Sequence, residues 1–133
     1  MFKSVIAGYT RSPFTIAKKG ELIDVKPDKL LTEVIKNLIS KSKINKADIE
    51  DVIIGCAFPE GEQGFNIGKI VTFLSNMNIK TAGTTINRWC GSSMSALLSF
   101  DFEIRFLITS ESNSSGLTSI SSPFLAIVNG DLE

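Results

Sequence analysis

The residue best placed to do chemistry is a thiol at a corner. Thr84-Thr85-Ile86-Asn87-Arg88-Trp89-Cys90-Gly91-Ser92-Ser93-Met94-Ser95-Ala96-Leu97 reads as a strand, a sharp turn carrying Cys90, and then a helix. Gly91 and the two serines let the chain bend steeply and open a helix with exposed N–H groups. A thiol there meets several backbone donors and the positive end of the helix dipole. Both favour the thiolate over the thiol, and the thiolate is the nucleophile. The local pattern therefore suits a covalent acyl carrier. It also leaves a second reading open, a cysteine buried at a strand–helix corner, because free cysteines often serve as small core residues.

Other groups offer less. Cys56 lies inside the apolar run Val52–Phe58 and reads as a packed, inert thiol. Glu60 and Glu62, two residues apart, have the residue types of an acid/base pair. They stand in a glycine-flanked loop, where carboxylates are more often simply solvated. Arg11 either contacts a ligand or ties a loop down, and the second is the expectation. Two cysteines and no histidine cannot supply a four-ligand zinc site, so no metal is expected. Nor do two cysteines make a disulfide framework; they point to a reducing compartment.

The totals narrow the class. A chain of 133 residues is one domain by length, and an apolar share of 43% suits a globular core. Fourteen basic and fourteen acidic side chains cancel, so nothing builds a wide field for nucleic acid or an acidic membrane. No apolar run approaches the ~20 residues of a membrane span. Met1-Phe2-Lys3 is not followed by the long apolar core of a secretory signal.

The elements that must position Cys90 follow from the apolar periodicity. Val5–Tyr9 suits a central strand, broken by Pro13. A loop with a turn at Gly20 leads to Pro27, which opens a helix at no hydrogen-bond cost. Leu30, Leu31, Val34, Ile35, Leu38 and Ile39 form its apolar stripe, and Lys29, Glu33, Lys36 and Lys41 its solvated face. Asn45 can cap a short turn through Asp48 and Ile49. Val52–Phe58 reads as a strand buried on both faces. Asn66 can cap a second helix with Ile67, Ile70, Val71 and Leu74 inside, ending near Asn76 to Asn78. A strand over Thr84–Trp89 then delivers Cys90, and Met94, Leu97 and Leu98 are expected on the buried side of the following helix. Strand and helix alternating three times point to an α/β layered fold with a mostly parallel sheet. Ligands meet such sheets at the carboxyl ends of the strands, where Cys90 falls.

Asn87-Arg88-Trp89-Cys90-Gly91-Ser92-Ser93-Met94 resembles the nucleophile motif of thiolases, the 3-ketoacyl-CoA and acetyl-CoA acyltransferases, and its Cys-Gly-Ser-Ser-Met form is most similar to the β-oxidation branch. Further landmarks come in the same order. Arg11-Ser12-Pro13-Phe14 resembles the family's Arg-Thr-Pro-Phe segment. Pro59-Glu60-Gly61-Glu62-Gln63-Gly64-Phe65-Asn66 resembles the loop before its second long helix, and Gly83–Asn87 the strand leading to the nucleophile. The likeness runs from about Val5 to about Ser99. It implies a thiolase-like layered α/β fold, a mostly parallel mixed sheet with helices, of which this chain is an incomplete N-terminal half.

After Ser99 the pattern departs. Phe100–Thr109 looks like a strand where the family continues its helix, and Ser110–Ser122 is serine-rich, which reads as loop. Ala126–Glu133 resembles the stretch that normally follows the nucleophile helix. The expected organisation is thus a thiolase-like unit over 1–99, a divergent segment over 100–125 and a family-like stub over 126–133. Either the chain is a truncated or mis-assembled product, or it is a piece that needs a partner chain. A missing strand leaves an unpaired edge, so poor solubility or association with another subunit is expected.

The resemblance implies acyl transfer of the acetyl-CoA C-acyltransferase type, through a thioester on Cys90. Coenzyme A and acyl-CoA enter as substrates rather than as bound cofactors. The family's activating histidine and second cysteine lie in its C-terminal half, and most coenzyme A contacts lie there too. Only Cys90 is carried over as catalytic; no coenzyme A-binding residue is assigned. Asn87, Arg88, Gly91 and Ser92 are expected to shape the turn. The chain alone is expected to be inactive, with a homo-oligomer or thiolase subunit as partner and a cytoplasmic location, the mitochondrion and peroxisome remaining open. The alternative is a non-catalytic interaction or dimerisation fragment. A ketoacyl-synthase relative, which shares the fold and a cysteine at the same corner, is a third reading that the motif's wording disfavours.

Overall fold

The computed structural model describes residues 5–13, 15–16, 19–99 and 124–129 of the chain. Pro27 occupies the first helical position of α1 (Pro27–Ser42), preceded by an extended Lys26. Leu31, Val34, Ile35, Leu38 and Ile39 are all buried along one stripe, and Leu30 is half-buried at its edge. Full burial of one such aliphatic side chain contributes about 1.5–3 kcal/mol. Lys43, in the left-handed region with φ 56°, ends the helix without a glycine. Asn45 then caps a single 3₁₀ turn over Lys46–Asp48, its Oδ1 accepting from Ala47 N at 3.1 Å.

The strands form two pairs. β1 (Val5–Arg11) runs antiparallel to β4 (Phe124–Asn129), from Val5 opposite Asn129 to Arg11 opposite Phe124. β2 (Asp51–Gly55) runs parallel to β3 (Ala82–Ile86), from Asp51 opposite Ala82 to Gly55 opposite Ile86. The two helices α2 (Ile67–Leu74) and α3 (Ser92–Leu98) complete the described elements. The parallel part of the expected mixed sheet is therefore β2–β3, and among the described residues the antiparallel β1–β4 pair forms a separate sheet. β4 straddles the boundary drawn at residue 125. The strand expected over Phe100–Thr109 and the serine-rich loop lie outside the described residues, as does the second half of the stub, 130–133.

Alternation along β2 creates the layers. Val52, Ile54 and Cys56 join α1, Ile49, Ile67 and Val71 in one core, while Ile53 faces Ala96 of α3 on the opposite side. Helices thus cover both faces of a two-stranded parallel core, which is why β2 is apolar from Val52 onward.

β2, expected to run through Phe58, ends at Gly55, and three further points differ from the periodicity reading. β3 ends at Ile86, not Trp89, because its partner β2 stops at Gly55 and Asn87 turns its amide to Ala57 O, 3.1 Å away. α2 ends at Leu74, where Ser75 N still bonds Val71 O but Asn76 adopts φ 53°. Leu74, one turn past the Ile67/Val71 contact, is largely exposed. In α3 the buried residues are Ser92 and Ala96, whereas Met94 and Leu98, expected inside, are 60% and 70% exposed. The cause is the close approach of α3 to Gly55: a Cβ there would lie 2.6 Å from Ser93 Cα. Only small side chains, one turn apart, fit against a strand at that distance.

Candidate functional site

The nucleophile turn hangs from the carboxyl end of β3. Cys56 N donates to Ile86 O at 2.9 Å, the last bond of the parallel ladder. Beyond it the chain turns over Asn87–Gly91 and enters α3 at Ser92. Cys90 lies in this turn with an exposed thiol. The buried-corner reading of Cys90 is thereby set aside, and Cys56 supplies the contrast: it is buried, and its Sγ donates to Gln63 Oε1 at 3.7 Å.

The sharp bend does not fall where the sequence placed it. Gly91 has φ −93° and ψ 6°, a conformation open to any residue. Trp89 instead holds φ 47°, in the left-handed region that bulky residues occupy at a cost of about 1–2 kcal/mol. Side chains on either side hold it there. Asn87 Oδ1 accepts from Trp89 N at 3.1 Å, an Asx turn. Ser92 Oγ donates to Trp89 O at 2.6 Å and accepts from Arg88 N at 2.8 Å. Gly91 N and Ser92 N close the turn on Arg88 O and Trp89 O, both at 3.0 Å. Arg88 Nη1 reaches Ser95 Oγ at 3.4 Å. The residues expected to shape the turn do so: Asn87, Arg88 and Ser92 through hydrogen bonds, Gly91 through its backbone alone.

A second tie runs to the end of β2. Asn87 Nδ2 donates to Ala57 O, and the Phe58 ring meets the Trp89 indole edge to face at 5.6 Å. Such a pair adds about 0.5–1.5 kcal/mol beyond its buried area. The turn is therefore fixed to both parallel strands. Asn87's part in shaping the turn was expected from the motif. Ala57 and Phe58 carried no local signal, because their part arises only from strand adjacency.

The other candidates stand apart from this turn. Glu60 is exposed in its loop as expected, whereas Glu62 pairs with Lys26 at 2.6 Å. The hydrogen bond that Lys26 donates to Glu62, then the charge of Glu62, raise the Lys26 ammonium above its ordinary value. Arg11 is exposed at the end of β1, and its guanidinium ties down no loop among the described residues. No cluster of three or more His, Cys, Asp or Glu with metal-binding geometry occurs among them either. No described helix is long and apolar enough to cross a membrane.

Against known proteins, the family described as "Thiolase, N-terminal domain" matches residues 4–107. The 3-ketoacyl-CoA thiolase of Bacillus subtilis (strain 168) is 35% identical over 97 residues, covering 73% of this chain and 25% of that protein. The 3-ketoacyl-CoA thiolase of Marinomonas sp. (strain MWYL1) is 38% identical over 94 residues, covering 70% of this chain and 24% of that protein. The chain thus spans about a quarter of the length of the curated relatives it matches. Among solved structures, the Acat5 thiolase of Ascaris suum, in complex with coenzyme A, is similar with a TM-score of 0.71 at 22% identity, over 89% of this chain and 36% of that one. That likeness speaks for the fold. With the family match extending over most of its residues and across the Cys90 turn, this chain belongs to the thiolase family, through its N-terminal domain.

Proposed function

We propose that Cys90 is the acyl-accepting nucleophile of a thiolase-type acyl transfer between 3-ketoacyl-CoA and coenzyme A. The observation that carries this reading is an exposed thiol on a hydrogen-bonded turn at the carboxyl end of the parallel strands, inside the thiolase match. The thiolate attacks the keto carbon, the carbon–carbon bond beside it breaks, and the departing acetyl-CoA carbanion takes a proton. Coenzyme A, giving up its thiol proton to a base, then collects the shortened acyl group and releases the Cys90 thiolate. Covalent catalysis divides one hard step into two easier ones, and donors aimed at the developing oxyanion are required in both. This chain contains no histidine. The base must come from another segment or chain, and residues 1–133 by themselves do not turn over.

Mass analysis tests both parts. The 133-residue chain incubated with an acyl-CoA at neutral pH is expected to gain no stable adduct. Mixed with a thiolase polypeptide that supplies the histidine and second cysteine, it is expected to carry the acyl group on Cys90. An adduct on the chain alone contradicts inactivity, and an adduct on any other residue of the mixture's short chain removes Cys90 from its role. The relatives' shared name, 3-ketoacyl-CoA thiolase, supports this substrate class, and the β-oxidation branch and a cytoplasmic location belong to the same proposed reading.

A second reading rests on exposed apolar surface. Trp89, Met94 and Leu98 are all more than half exposed, and β3 pairs only with β2 among the described residues. This supports association with a thiolase subunit or a second copy. Native co-purification checks it; a chain that stays monomeric and elutes alone counts against it.

A further inference from the structure

We propose that Asn87 and Ser92 are positioning residues that hold Cys90 in place through Trp89. The inference rests on Cys90 being the nucleophile, and it assigns the means by which this chain presents the sulfur. Trp89 is the residue before Cys90 and carries φ 47°. Side chains bond both of its backbone polar groups: Asn87 Oδ1 accepts from its N–H at 3.1 Å, and Ser92 Oγ donates to its carbonyl at 2.6 Å, beside the backbone bond from Ser92 N at 3.0 Å. Ser92 is fully buried, so its hydroxyl has no competing water. Asn87 uses its remaining donor on Ala57 O at 3.1 Å, which references the turn to the end of β2. Ser92 opens α3, which references it to the helix. The left-handed residue is thus bracketed between the two elements whose ends meet at the thiol.

The indole itself is 66% exposed and touches Phe58 edge to face. Little of its bulk is buried to compensate the unfavourable φ, so the two side-chain clamps, added to the backbone bonds that close the turn, are what tip it to that angle. Released from them, Trp89 returns to a negative φ, and Cys90, one residue on, swings away from the open side of the turn.

Glycine occupies positive φ as readily as negative. A glycine at position 89 therefore keeps the turn without the clamps, and this makes the role separable from ordinary structural support. The experiment measures iodoacetamide capture of Cys90 by peptide mass in the 133-residue chain, with buried Cys56 as the internal control for folding. Asn87→Ala and Ser92→Ala are each made in the Trp89 background and again with Trp89→Gly. In the Trp89 background each substitution is expected to slow capture roughly threefold or more, the scale of a thiol released among three staggered wells. In the Trp89→Gly background the same substitutions are expected to leave the rate within about twofold of Trp89→Gly alone, a non-additivity that reports the coupling.

Folded Asn87→Ala and Ser92→Ala chains that react at the parent rate overturn the proposal. So does an equal loss in both backgrounds. A variant that fails to fold, by circular dichroism and Cys56 protection, and is not restored by Trp89→Gly assigns its residue to the fold and overturns the proposal as well. Absence of acyl transfer to Cys90 in the complemented assay instead refutes the nucleophile reading, while the capture rates still judge the clamp.

Discussion

Gly55→Ala tests the packing that fixes the nucleophile turn. Gly55 closes β2, and the site its side chain would fill is taken by the backbone at the start of α3. A Cβ would press on Ser93 N and lie 2.5 Å from Ser92 C and 2.6 Å from Ser93 Cα. Ordinary contact begins near 3.4 Å, so the start of α3 must retreat by about 0.8–0.9 Å. None of these atoms is the tip of a flexible side chain, so the strain cannot be shed by a rotamer change. Overpacking of this kind costs about 1–3 kcal/mol, or a fall in melting temperature of roughly 4–10 °C for a domain this size. Cys90 moves with α3, and a displacement near 1 Å lowers transfer in a complemented enzyme by about ten- to a hundredfold. Thermal unfolding followed by circular dichroism reads the first effect, and acyl-adduct formation the second. Gly91→Ala is the control: its φ is unstrained and the nearest atom to its Cβ, Arg88 O, is 3.4 Å away. Its stability is expected to stay within about 0.5 kcal/mol of the parent's. A Gly55→Ala chain that melts with the parent, or a Gly91→Ala chain that loses as much, refutes the packing argument.

Further outcomes follow from single groups. Under native conditions a disulfide exchange reagent is expected to titrate Cys90 alone, with Cys56 appearing only in denaturant; two fast native thiols contradict the buried position of Cys56. Burial raises the Asp51 carboxyl above its ordinary value, against the opposing pull of its hydrogen bond from Val52 N and of the Lys69 charge. A raised folded-state value means that the folded chain holds this proton more tightly than the unfolded chain. The group's contribution therefore improves as pH falls through the folded value, is complete below the ordinary carboxylate range, and is a cost at neutral pH. Asp51→Asn, which retains the acceptor for Val52 N, is expected to raise the urea midpoint at pH 7 and to flatten this part of the pH profile; a lower midpoint at pH 7 counts against it. Lys69 Nζ donates to Thr81 O at 2.6 Å and Ile79 O at 3.3 Å and lies 4.8 Å over the Phe73 ring. Lys69→Met is expected to cost about 2 kcal/mol in urea unfolding, and no loss means that water replaces the ammonium at those carbonyls.

The alternation of apolar stripes and β-branched runs was enough to place α1, β2 and the caps at Asn45 and Asn66, because those depend on neighbours within a few residues. The same logic failed for α3. Apolar residues Met94 and Leu98 were assigned to its inner face, but the contact at Gly55 admits only Ser92 and Ala96. The strand end at Ile86 was likewise missed, since it depends on where β2 stops and not on anything in Asn87-Arg88-Trp89.

The amino-acid sequence determined the family, the strand–turn–helix order around Cys90 and the lack of any histidine to serve it, because these reside in residue types and their spacing. Tertiary structure decided between the two readings of Cys90, and it moved the strained residue from Gly91 to Trp89. The reason is that a backbone angle is chosen by all the groups that bond its flanking amides. Here those groups include Ala57 and Phe58, which stand some thirty residues earlier in the chain and meet the turn only once β2 and β3 lie side by side.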